Sequence, residues 1–393
     1  MGRAWARSNP TIGGVILQKF INLQHRSSTL VEMLFYALAL LALPALAQQP
    51  LRLTDIQLIG THNSYHLGLA PSESARLKQA DPQAAESLDY RHPPLEVQLN
   101  QGVRQFEFDV YQDPEGDRFA EPKGPSLVSQ AKLPPDPPFD PAGVMKRPGF
   151  KVVHVQDIDY RSNCQPFTDC LSVVRKWSDA HPRHLPIFIL VENKDRSPAP
   201  GAAPRPGMLT AATMEALDAE IRGVFPAEKL ITPDNVRGAH KTLEEAILTT
   251  GWPTLEAARG KVIFLLDQER ATPLYTVGHP TLEGRVMFTN STPGTPDAGF
   301  VKMNNPTDPK IREVVAKGYL VRTMTDGGAR AVREGNSTRR DAALASGAQL
   351  LSTDYPFDYK TSSGYSVSFG KGNARCNPVR QAAACTAAAL TEK

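Results

Sequence analysis

The chain is poor in several things, and each absence excludes a class of function. It has four cysteines in 393 residues, Cys164, Cys170, Cys376 and Cys385. Their spacing lacks the close Cys pairs or interleaved His of a zinc site. It has no basic surplus beyond its N-terminal stretch. The formal charge is +3, but residues 1–47 hold four basic residues and one acidic one, so the remainder carries 40 of each. A neutral chain offers neither a nucleic-acid footprint nor a polybasic membrane patch. No glycine-rich phosphate loop follows a strand, which argues against a dinucleotide-binding sheet. No internal repeat is visible.

Long apolar runs are also missing. The one candidate, residues 33–47 (Met-Leu-Phe-Tyr-Ala-Leu-Ala-Leu-Leu-Ala-Leu-Pro-Ala-Leu-Ala), is short, broken by Pro44 and closed by Ala45-Leu46-Ala47. Basic residues precede it. This pattern reads as a secretory signal peptide and not a spanning helix. Translation starts at Met1 or at Met33. The expectation is a leader over 1–47, a catalytic domain over 48–360, a Cys-containing tail over 361–393, and a secreted or periplasmic location. An even cysteine count in an exported chain suggests disulfides, and 164–170 with 376–385 is the simplest of three connectivities.

What is present is an alternation of strands and helices. Strands read near residues 56, 104, 151, 187, 261, 285, 319 and 349, with helical spacing at Phe167–Ala180, 208–225, 311–317 and 338–346. Pro186–Val191 and Lys261–Leu266 are continuous apolar runs, as in strands buried on both faces. Eight such units fit a (β/α)8 TIM barrel, with a doubly wound sheet as the alternative. Residues 113–149, rich in Pro, Gly and charge, read as a long loop insertion after the second strand. Residues 291–307 read as loop.

The chemistry gathers at strand ends, where a barrel builds its active site. Gln105-Phe106-Glu107-Phe108-Asp109-Val110-Tyr111 alternates, so Glu107 and Asp109 share one face and the aromatic residues take the other. If the apolar face packs on helices, both carboxylates point into the barrel. The first four strands then deliver His62 and Asn63, Glu107 and Asp109, His154, and Glu192 with Lys194. Glu192 and Lys194, two residues apart, could pair. Three carboxylates and an amide oxygen suit Ca²⁺ or Mg²⁺ better than zinc. Two imidazoles suit proton transfer near neutral pH, and a cation with a lysine suits phosphoryl chemistry. Arg322, ending the seventh strand, is a candidate for head-group contact or a structural ion pair.

Gly60-Thr61-His62-Asn63-Ser64-Tyr65, Phe106-Glu107-Phe108-Asp109, Val153-His154 and Leu190-Val191-Glu192-Asn193-Lys194 together resemble the catalytic half of phosphoinositide phospholipase C, and most of all its secreted, single-domain, calcium-dependent branch. The resemblance spans residues 52–356. It implies Ca²⁺, in preference to Mg²⁺, on Asn63, Glu107, Asp109 and Glu192. It implies catalytic roles for His62 and His154, with Glu107 a further candidate base, and phosphate contact by Lys194. The implied substrate is a phosphatidylinositol-type lipid or a glycerophosphoinositol, cleaved through a cyclic inositol phosphate. The expected state is a monomer with transient membrane contact and no nucleic-acid partner. Glu192-x-Lys194 and Thr353-Asp354-Tyr355-Pro356 are also similar to glycerophosphodiester phosphodiesterases, but those open with His-Arg-Gly where this chain has His-Asn-Ser. A non-catalytic protein binding inositol phosphate or calcium is the alternative of another class. It would need a broken catalytic set, and both histidines and all three carboxylates are present.

Overall fold

Ten strands organise the chain: β1 (Ile56–Thr61), β2 (Gln105–Tyr111), β3 (Lys151–Val152), β4 (Ile187–Asn193), β5 (Val262–Leu266), β6 (Met287–Thr289), β7 (Phe300–Lys302), β8 (Leu320–Met324), β9 (Leu350–Thr353) and β10 (Ala374–Cys376). They come from a computed structural model that describes residues 49–194 and 209–392, apart from 358, 360 and 371. The leader read from the sequence lies outside the described residues. Among the described residues no helix is long and apolar enough to cross a membrane.

Eight strands run parallel in the order β6-β5-β4-β2-β1-β9-β8-β7. The ring closes at a parallel bridge between Asn290 and Phe300. There Ser291 N–H donates to the Phe300 carbonyl at 3.1 Å, and the Asn290 amide oxygen accepts the Lys302 N–H at 2.9 Å. This is the (β/α)8 barrel that the alternation of elements predicts.

Two staves differ from the sequence reading. Residues 151–155 do not form one. Lys151–Val152 instead pairs antiparallel with the end of β2, as an arm outside the ring. The eighth stave is Phe300–Lys302, inside the stretch read as loop. Three residues are too few to show a period, and only pairing with Leu320–Arg322 makes them a strand.

The core follows the apolar pattern. Phe106, Phe108 and Val110 are fully buried and join one cluster with Phe167, Leu171 and Val174 of the Phe167–Ala180 helix. Fully burying each such side chain contributes about 1.5–3 kcal/mol. Their burial outside the ring turns Glu107 and Asp109 inward. Gly60 lies where β1 meets Gln105 of β2. A Cβ there would stand 2.1 Å from the Gln105 side chain, so the close approach requires glycine.

The insertion after β2 is a folded subdomain. It carries a Gly124–Gln130 helix and a small core of Tyr111, Phe119, Met145, Val153 and Tyr160. The C-terminal segment also packs. β10 runs antiparallel to β1, while Tyr365 and Val367 are buried against Ile59 and Tyr355. Both cysteine pairs, 164–170 and 376–385, are disulfides.

Candidate active site

The C-terminal ends of β1, β2, β4, β8 and β9 converge on one polar centre. Asp109 and Glu192 are register neighbours across the β2–β4 ladder. With Glu107, each offers an oxygen within 4.8 Å of the others. Glu107 and Asp109 are buried, while the Glu192 side chain is 27% exposed and opens the cluster to solvent.

Two cations face these three acids. Lys194 Nζ stands 2.8 Å from Asp109 and 3.0 Å from Glu192. The pairing that the Glu192-x-Lys194 spacing suggests is therefore present, with Asp109 added. The two carboxylates and burial oppose each other at Lys194. Burial would lower its pKa, but the carboxylates win and raise it. One ammonium does not neutralise two acids. Burial, with the Glu192 charge beside it, pushes Asp109 up to about 7. Its Oδ1 has no hydrogen-bond partner. Glu192 moves the other way, because Lys194 outweighs its burial.

Arg322 comes from β8 across the barrel interior and bonds Glu107 Oε2 at 2.5 Å and Ser352 Oγ at 2.9 Å. It also holds Asn304. It is buried, so the structural ion pair weighed from the sequence is what it forms. Asp267 of the neighbouring strand end is buried and pairs with Lys302 at 2.5 Å.

The oxygen set, the surplus negative charge and the unpartnered Asp109 oxygen fit a hard divalent cation. Asn63 belongs to the same rim. It is buried, with a positive φ of 45°. Its amide donates to the Tyr90 hydroxyl at 2.8 Å, and its Oδ1 is 3.4 Å from the Tyr65 hydroxyl.

Each histidine leans on an aspartate. His62 Nδ1 is 3.0 Å from Asp354, which follows β9, and its Nε2 is 3.8 Å from Glu107. Burial would lower the His62 pKa. Asp354 and Glu107 outweigh it and hold the ring up at about 9. The ring is 31% exposed, so this value falls where solvent or a bound cation screens the acids. Asp354 in turn lies below the usual carboxylate range, its burial outweighed by the His62 charge and hydrogen bond.

His154 reaches the same region from the arm loop and not from a barrel stave. Its Nδ1 is 2.7 Å from Asp159. The sequence reading placed it at a strand end, but Val155 turns back to bridge Asp159.

Four contributors were missed or undervalued: Asp354, Asp159, Asp267 and Lys302. Asp354 carried a local signal, as the charged residue that directly follows the last barrel strand. Asp159 lies only five residues from His154, whereas Asp267 and Lys302 meet across 35 positions, which no short window contains.

Residues 51–378 match the family described as phosphoinositide phospholipase C, Ca²⁺-dependent. No curated protein matches the chain. Among solved structures, the chain is similar to a calcium-dependent phosphoinositol-specific phospholipase C from a Gram-negative Pseudomonas species, with a TM-score of 0.50 and 15% identity over 84% of this chain and 96% of that one. It is also similar to a Ca²⁺-dependent phosphatidylinositol-specific phospholipase C from Streptomyces antibioticus, at TM-score 0.49 and 19% identity over 77% and 95%. At 15% identity the likeness to the Pseudomonas structure speaks for the barrel fold alone. The family match covers nearly all of that barrel, from before β1 to beyond β10. The chain therefore belongs to the calcium-dependent phosphoinositide phospholipase C family, enzymes that act on phosphoric diesters.

Proposed function

We propose that this enzyme cleaves phosphatidylinositol-type phospholipids to diacylglycerol and inositol phosphate through a cyclic phosphate. The observation that carries the reading is a three-carboxylate cluster within 4.8 Å, flanked by two histidines that each hold an aspartate. Asn63, Glu107, Asp109 and Glu192 would hold Ca²⁺. When bound, the ion supplies positive charge against the phosphate oxygens.

The chain's own residues do the rest. The inositol 2-hydroxyl loses its proton and its oxygen bonds to phosphorus. The bond from phosphorus to the glycerol oxygen breaks, and that oxygen takes up a proton. His62 and His154 divide the two proton transfers, with Glu107 a further candidate for the first. Water then opens the ring by the reverse exchange. Lys194, which pairs with Asp109 and Glu192, would contact the phosphate once a cation took over those carboxylates. Arg322, bonded to Glu107 Oε2, keeps that carboxylate aimed.

The site lies on the barrel rim, so a lipid head group enters from a bilayer surface without the chain crossing it. We place the enzyme outside the cytoplasm, as a secreted or periplasmic monomer. The test is substrate competition. Phosphatidylinositol should release diacylglycerol with Ca²⁺ present, and glycerophosphocholine should not compete. Preferred cleavage of glycerophosphocholine would refute the reading.

A further inference from the structure

Asp159 has no role in the proton transfers above, yet it is a fully buried carboxylate beside one of the two histidines. Its place is built. Val155 and Asp159 exchange backbone hydrogen bonds of 2.9 and 2.8 Å, folding the 155–159 segment back on itself. The Tyr111 hydroxyl donates to the His154 carbonyl at 3.2 Å, fixing the chain on the other side of the ring. Asp159 Oδ2 then lies 2.7 Å from His154 Nδ1.

A second histidine backs the same oxygen. His66 is fully buried and its ring packs against Tyr90 at 4.2 Å. Its Nε2 is 2.7 Å from Asp159 Oδ2, although out of line with its N–H, and its Nδ1 has no partner. Residue 66 is itself pinned, with a backbone N–H to Asn63 at 2.8 Å and an antiparallel bridge to Ser162. His66 thus closes the space into which Asp159 could rotate.

We propose that Asp159 is the positioning residue that fixes the proton of His154 on Nδ1, and that buried His66 holds Asp159 in place to do so. An ionised carboxylate only accepts, so the nitrogen facing it must carry the hydrogen. That leaves His154 Nε2 as the atom that exchanges protons with substrate. Burial would raise the Asp159 pKa, but the two histidines outweigh it and hold it at about 2, so the carboxylate is ionised throughout the working range. The inference rests on His154 being catalytic.

Nitrogen-15 NMR of histidine-labelled wild-type enzyme reads the tautomer directly, with H154A used only to identify the signal. The proposal expects the His154 proton on Nδ1; a proton on Nε2 in the neutral ring overturns it. In kinetics with phosphatidylinositol, D159N should lower kcat by about 10²–10⁴, the usual worth of a positioned acid or base. Its KM should stay within about threefold, because substrate is not touched. H66F should cost less, about fivefold, the equivalent of one net hydrogen bond. In an H154A background, D159N should change kcat by less than about twofold. Wild-type kcat in D159N, or a full additional loss in the double variant, refutes the positioning role. Full activity in H154A would instead remove the catalytic reading of His154, so the two failures are distinguishable.

Discussion

Replacing Arg322 by Met is the sharpest perturbation of the site's charge balance. Met keeps much of the apolar stem and removes the guanidinium that bonds Glu107, Asn304 and Ser352. Glu107 is then left 3% exposed, close to Asp109 and Glu192, with no cation against its Oε2. Removing one partner of a buried pair costs about 3–5 kcal/mol, because the other charge stays behind. Unfolding entropy for a domain of this size is about 0.7 kcal/mol/K, so the melting temperature in chelator should fall by about 4–7 °C. Calcium should then stabilise R322M more than wild type, because an added dication offsets charge that the variant can no longer offset itself. Circular-dichroism melts of both proteins, in chelator and in Ca²⁺, read this directly. Equal stability in chelator, or equal gains on adding Ca²⁺, would refute the charge-balance reasoning.

Three further outcomes are expected. H62A should lose about 10²–10⁴ in kcat, and its unfolding midpoint should also fall, since Asp354 loses its charged partner; retained turnover would sink the assigned role. Glu220 is raised to about 7 by burial, with the Phe150 N–H and Lys151 opposing. The folded state therefore holds its proton more tightly than the unfolded chain, and this contribution to stability is lost as pH rises from the ordinary Glu range through about 7. E220Q, which keeps an oxygen for the Phe150 N–H, should match wild type at pH near 4 and melt higher above pH 7; a constant gap across that window would contradict it. The Cys376–Cys385 disulfide closes a loop of sequence separation 9 and ties β10, which lies on β1, to the segment that follows. The double Ser variant should lose about 2.5–3 kcal/mol in a urea titration, and an unchanged midpoint would show that packing alone holds the segment.

Much of the barrel was legible because its signals are local. Alternation over Gln105–Tyr111 places two carboxylates on one face, and the run Pro186–Val191 announces a strand buried on both sides. Phe300–Lys302 was not legible, since three residues become a strand only through the neighbour they pair with. Val153-His154-Val155 misled for the opposite reason. It continues a strand pattern, but the ladder stops at Val152 and the backbone turns to meet Asp159.

At the site, residue types were readable and pairings were not. Glu107 and Arg322 are 215 positions apart, and His62 and Asp354 are 292 apart. No spacing rule links them, and only closure of the barrel does. Lys194 shows the intermediate case. Its two-residue offset from Glu192 suggested a pair, but Asp109 joins that pair from the adjacent strand.

The central claim is calcium-dependent formation of a cyclic inositol phosphate at this carboxylate and histidine centre. Phosphorus NMR of the purified enzyme with phosphatidylinositol, first with Ca²⁺ and then with chelator, tests it most directly. The account predicts a cyclic phosphodiester resonance that grows with Ca²⁺ and stops with chelator. Lipid left intact under both conditions, with glycerophosphodiesters cleaved in the same tube, would contradict it.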